Sequence, residues 1–119
     1  IACAVALASL EVGDAEQTSQ RLDSLGERIE AGLRDGLGDD ARVSELRRTG
    51  GIVALELAAD DAGYLAELGP RLRRATWDRG VLLRPLGNVL YALPPACTTP
   101  EQADLIVETM LGALDELKA

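Results

Sequence analysis

Apolar residues in this chain recur in two rhythms, one of three and four residues and one of two. Leu22, Leu25, Ile29, Leu33 and Leu37 follow the first, while Arg21, Asp23, Glu27, Arg28, Glu30 and Arg34 fill the positions between them. This one-sided stripe predicts an amphipathic helix, ended by Gly36, Gly38 and Asp39-Asp40. Before it stands Ile1-Ala2-Cys3-Ala4-Val5-Ala6-Leu7-Ala8, which has no polar side. It predicts a helix that gives way near Gly13-Asp14 and that must bury its whole surface against something large. The segment is too short to span a bilayer and lacks the basic start of a signal peptide. The expectation is a large domain, upstream and absent from this sequence, against which that helix packs.

The rhythm of two appears next. Val43–Thr49 and Ile52–Ala58 are strand-like runs around Gly50-Gly51, two residues free to take positive φ, which predicts a tight hairpin. The second run is nearly continuous in apolar residues, which makes it the more central strand. Asp60-Asp61 opens a helical stretch with Leu65, Leu68, Leu72 and Ala75 on one face. Pro70 either starts its main part or kinks it, and Gly80 ends it. Val81–Arg84 and Asn88–Leu93 then predict a second hairpin around Pro85-Leu86-Gly87, stopped by Pro94-Pro95. The last helix carries the clearest marks: Thr99 as N-cap, Pro100 at the first helical position and Gln102 completing a capping box. Its stripe is Ala103, Ile106, Val107, Met110, Leu114 and Leu117. The expected fold class is α+β, with helices on one face of a small antiparallel sheet.

Composition narrows the chemistry. The 119 residues suit one domain, and with no Phe, 1 Trp and 2 Tyr the core falls to Leu, Val, Ile and Ala. A net charge of −8 argues against a nucleic-acid partner. Arg71, Arg73 and Arg74 sit among acidic neighbours and read as a solvated helix face. With no His, a Cys/His metal site and a Cys-His catalytic pair are both excluded. Cys3 and Cys97 lack CxxC spacing, which leaves a disulfide or two reduced thiols, and the latter is expected in a chain without signs of secretion. The only Lys, Lys118, is the penultimate residue, so no buried Schiff-base amine is expected. The acid pairs Asp39-Asp40 and Asp60-Asp61 read as capping or solvated groups. No catalytic, metal or cofactor-binding residue is therefore assigned within the chain.

Arg84 stands out. The proline after it forces extended geometry, and Val81-Leu82-Leu83 before it predict a strand entering the core. A planar guanidinium held there needs an anion and suits a carboxylate. Residue chemistry leaves two readings open: a ligand carboxylate, or a salt bridge to an internal Asp or Glu. Tyr91, on the returning strand, could face the same side or simply pack.

The run Arg79-Gly80-Val81-Leu82-Leu83-Arg84-Pro85-Leu86-Gly87-Asn88-Val89-Leu90-Tyr91-Ala92-Leu93-Pro94-Pro95, with its Thr-Pro-Glu-Gln helix start, resembles the C-terminal small domain of class III, pyridoxal-phosphate-dependent aminotransferases. Within that family it looks most like the branch acting in biotin biosynthesis. Residues 2–11 and Thr49–Leu57 are similar to the family's linking helix and small-domain strand pair. The resemblance implies that residues 1–119 are a small domain, with 1–12 ending the helix from the missing large domain. It implies amino transfer from S-adenosylmethionine, or from lysine in some relatives, to 7-keto-8-aminopelargonate. Pyridoxal 5'-phosphate would be held upstream, so this chain alone would be inactive. The resemblance further implies a homodimer, with Arg84 binding the oxo-acid carboxylate and Tyr91 lying near the same pocket, while the reduced thiols point to a cytoplasmic protein. Ala96 departs from the pattern, which often places an aromatic after the two prolines. Two other readings stand beside it: an aminotransferase for another ω-amino acid, and a stand-alone α+β ligand-binding or regulatory domain.

Overall fold

The computed structural model describes residues 1–58 and 62–117, the side chains of 62–66 left aside. Helix α1 spans Ala2–Ala15 and α2 spans Thr18–Leu37. Strands β1 (Val43–Thr49) and β2 (Ile52–Leu57) follow, then α3 (Ala62–Asp78), β3 (Val89–Ala92) and α4 (Pro100–Glu116). The sheet is antiparallel in the order β1-β2-β3. The expected α+β arrangement holds, and β2 is central because its Val53, Leu55 and Leu57 face the helices and are buried.

Helix α1 runs through the expected end at Gly13-Asp14 to Ala15. The break comes instead at Gln17, which takes left-handed backbone at φ 52°. Val5, Leu7, Leu10 and Val12 of this helix are all exposed in the chain as described. The stripe of α2 behaves as predicted: Leu25, Ile29 and Leu33 are buried, with Leu37 packed at their edge. Gly38, at φ 52°, ends the helix by returning its N–H to the Arg34 carbonyl at 3.3 Å.

In the first hairpin, only Gly50 uses the left-handed region, at φ 53°. Gly51 is needed for room: a Cβ there would stand 3.2 Å from the Leu22 carbonyl oxygen. The second hairpin does not form as a strand pair. Residues 81–85 are outside any strand, and only a bridge between Leu86 and Val89 survives, closed by hydrogen bonds of 2.9 and 3.0 Å. Two local causes account for this. The Val81 N–H is turned back to the Thr76 carbonyl (3.1 Å), and the Gly80 N–H to the Trp77 carbonyl (2.9 Å), as a Schellman cap on α3. Pro85 then has no N–H to give a ladder. Asn88 anchors the turn to β2 instead, its Nδ2 donating to the Leu57 carbonyl at 2.8 Å.

Pro70 lies inside α3 rather than at its start. Gly69 before it has no Cβ to clash with the ring, which eases helical geometry at a pre-proline position. Leu68, Leu72 and Ala75 are buried as expected, whereas the predicted Asp60-Asp61 start, and Leu65 in the stripe, lie outside the described residues and side chains. Helix α4 carries the predicted capping box: the Gln102 N–H donates to Thr99 Oγ1 (3.3 Å) and the Thr99 N–H to Gln102 Oε1 (2.9 Å). Its Ala103, Met110 and Leu114 close the core against α2 and α3. No helix among the described residues is long and apolar enough to cross a membrane.

Candidate functional site

Extended backbone alternates its side chains, and residues 82–84 show that alternation. Leu83 is buried at 7% exposure, whereas Leu82 and Arg84 face outward. Arg84 is therefore exposed and does not enter the core, contrary to the inward direction expected from the three apolar residues before it. The internal salt bridge that was the competing reading is absent: Arg84 makes no ion pair or side-chain hydrogen bond among the described residues.

Opposite Arg84 stands one face of α3. Pro70, Arg73, Arg74 and Trp77 are three or four residues apart and so share a side of the helix. Together with Gly69, Arg84 and Pro85 they line a cleft of about 520 Å³. A Cβ at Gly69 would meet no atom within 4 Å, so that glycine leaves the cleft wall open. Trp77 is 60% exposed, which leaves much of an indole ring available to a ligand. Among the described residues no acidic one lines the cleft, although the chain as a whole carries −8.

The other arginines show what an ordinary structural role looks like here. Arg28 forks onto Asp104 with two bonds of 2.7 Å, tying α2 to α4 and holding the Asp104 carboxyl below its usual range. Arg48 donates to Asp23 (2.5 Å) and Glu30 (3.0 Å), tying β1 to α2. On the other sheet face, Arg47 lies 2.6 Å from Glu56 and draws that carboxyl down. Arg42 takes Asp40 at 2.9 Å, so this acid is an ion-pair partner. Within the cleft, Arg74 is engaged by Asp78 at 2.8 Å. Among the described residues, Arg73 and Arg84 are the arginines whose guanidiniums have no such partner, and both line this cleft. Arg73 was legible only as part of a solvated face and Trp77 carried no signal, because their significance depends on Arg84 arriving from another segment.

Tyr91 is not brought into the cleft. It pairs with Ala54 in β3, half-buried, while Leu90 and Ala92 on either side are buried under the helices. It thus lies on the other face of the sheet. Ala96 lines a separate hollow beside Thr98, Pro100 and the start of α2. Cys3 and Cys97 are free and exposed. No described residue offers a side-chain amine, since Lys118 falls outside them, so the described side chains do not fit pyridoxal phosphate as a Schiff-base partner.

The family model for aminotransferase class-III matches residues 1–114. Among curated proteins, the chain is 44% identical to the adenosylmethionine-8-amino-7-oxononanoate aminotransferase of Synechococcus elongatus, covering 98% of this chain and 27% of that protein. It is 39% identical to the enzyme of the same name from Nitratidesulfovibrio vulgaris, covering 96% and 22%. Among solved structures, an (S)-enantioselective omega-transaminase from Thermomicrobium roseum superposes with TM-score 0.85 at 28% identity, over 99% of this chain and 27% of that one. The Methanocaldococcus jannaschii adenosylmethionine-8-amino-7-oxononanoate aminotransferase superposes with TM-score 0.80 at 27% identity, over 96% and 27%. The chain thus spans about a quarter of the length of the relatives it matches.

Proposed function

Because the chain belongs to the class-III aminotransferases, we propose that it is the small-domain part of an enzyme of biotin biosynthesis, and that Arg84 anchors the acceptor's carboxylate there. In that reading residues 1–119 are the C-terminal small domain, and residues 1–12 end the helix arriving from a large domain. The reaction is amino transfer from S-adenosylmethionine to 7-keto-8-aminopelargonate. One observation carries the assignment of Arg84: an exposed guanidinium, stiffened by Pro85, with no partner and no acid in its cleft among the described residues. Support for the substrate comes from the identity shared with two proteins of that name.

The part played by this chain is to bind and orient. Pyridoxal phosphate, which supplies the electron sink for the chemistry, is held by other residues of the enzyme. The exposed apolar surface of α1 is then the face that the large domain covers. Tyr91, half-buried on the sheet face away from the helices, stands apart from this cleft and takes no part in anchoring the carboxylate there. The enzyme is a cytoplasmic homodimer.

The test is Arg84→Ala in the whole enzyme, with the two half-reactions measured separately. Loss of a charge-assisted, bidentate contact is expected to raise the oxo-acid KM by about ten- to hundredfold. The rate of the donor half-reaction stays close to that of the parent. Equal damage to both half-reactions would sink the assignment. Product formation with S-adenosylmethionine against lysine as sole donor identifies the amino source.

A further inference from the structure

The cleft holds more positive charge than one carboxylate anchor needs. Arg73 projects from the same face of α3 as Pro70 and Trp77, has no acidic partner among the described residues, and shares the cleft with Arg84. Placing uncompensated guanidiniums together is unfavourable unless an anion joins them. In an acidic chain where arginines are otherwise matched to carboxylates or carbonyls, this exception falls in one place.

We propose that Arg73 is a second anion-anchoring residue of this cleft, acting with Arg84 on one carboxylate whose aliphatic chain lies along Trp77. A carboxylate has about four lone-pair directions, so a bidentate Arg84 leaves acceptor capacity for a second guanidinium. Trp77, Pro70 and Pro85 give an apolar wall for methylene groups, and the volume of about 520 Å³ lies within the range of small-molecule sites. The ligand class is a medium-chain monocarboxylate. This deepens the preceding reading and rests on it for the choice of that class.

Trp77 is the only tryptophan of the sequence and lies in the cleft, so its emission reports occupancy directly. The full chain is titrated with sodium nonanoate, with propionate as the short-chain control. Nonanoate is expected to change the emission saturably and propionate far more weakly. Arg73→Gln should raise the nonanoate Kd about three- to tenfold, with partial recovery in Arg73→Lys, and Arg84→Gln should raise it about tenfold. Arg21→Gln, outside the cleft, controls for net charge and should leave the Kd unchanged. If Arg73→Gln binds like the parent while Arg84→Gln is weakened, Arg73 is a solvated charge: the inference fails and the role of Arg84 survives. An equal loss in Arg21→Gln also overturns it, as a general charge effect. If nonanoate leaves the emission unchanged, or neither cleft variant weakens binding, the two-arginine site fails, while the half-reactions of Arg84→Ala in the whole enzyme decide the role of Arg84 separately.

Discussion

The carbonyl oxygen of Gly50 lies 2.0 Å from the point that a Cβ on Gly26 would occupy. Helix α2 therefore touches the turn of the first hairpin backbone to backbone, and Arg48 clamps the same junction by reaching Asp23 and the Gly50 carbonyl (3.1 Å). Gly26→Ala should destabilise the fold by about 1–3 kcal/mol, because the methyl forces the helix and turn apart. That exceeds the gain of up to about 1 kcal/mol that alanine brings to a helix interior. Urea denaturation checks the sign, and a more stable variant would show that the contact opens without cost.

Thr109 has the opposite problem. Its side chain is buried at 1% exposure, and its Oγ1 has no hydrogen-bond partner among the described residues. A buried hydroxyl left unsatisfied costs roughly 1–3 kcal/mol, whereas a methyl of the same shape costs nothing in desolvation. Thr109→Val is expected to raise stability by about 1 kcal/mol in the same denaturation experiment. A loss of stability would mean that the hydroxyl is satisfied in solution.

The capping box at α4 predicts a graded loss. Thr99→Ala removes the acceptor for the Gln102 N–H and should cost about 1 kcal/mol, while Thr99→Ser retains the oxygen and should cost little. Comparing the thermal midpoints of the two variants separates loss of the cap from loss of the methyl group.

Acid sensitivity should follow the ion pairs that join elements. The Asp104 carboxyl is held below its ordinary value, chiefly by hydrogen bonding to Arg28 and then by the charge of that guanidinium. A carboxylate whose folded pKa is depressed contributes stability above its unfolded value of about 4, and that contribution fades as pH falls through the folded value. Glu30, Glu56 and Glu101 are lowered as well and act in the same direction. Asp104→Asn should therefore lower the thermal midpoint near neutral pH by a small amount, as the pair is exposed, and flatten its decline below about pH 4. Parallel acid profiles for variant and parent would remove Asp104 from this account.

Local signals determined most of the fold. The three-and-four spacing from Leu22 to Leu37, the glycines at 38, 50 and 80 and the Thr99–Gln102 box each act within one or two turns of chain, so the helices and first hairpin could be read from the sequence. The second hairpin could not. Its first strand depended on where the Val81 N–H would go, and the end of α3 captured that group before a ladder could form. The sequence likewise singled out Arg84 through the proline after it and through the family resemblance, but assigned it an inward direction. Only the packed structure decided otherwise, because it buries Leu83 and leaves its neighbours Leu82 and Arg84 facing out. Bringing Arg84 to the Pro70–Trp77 face of α3 was also a tertiary event. Spacing along one segment fixes which residues share a face, and only the packing of separate segments decides which faces meet.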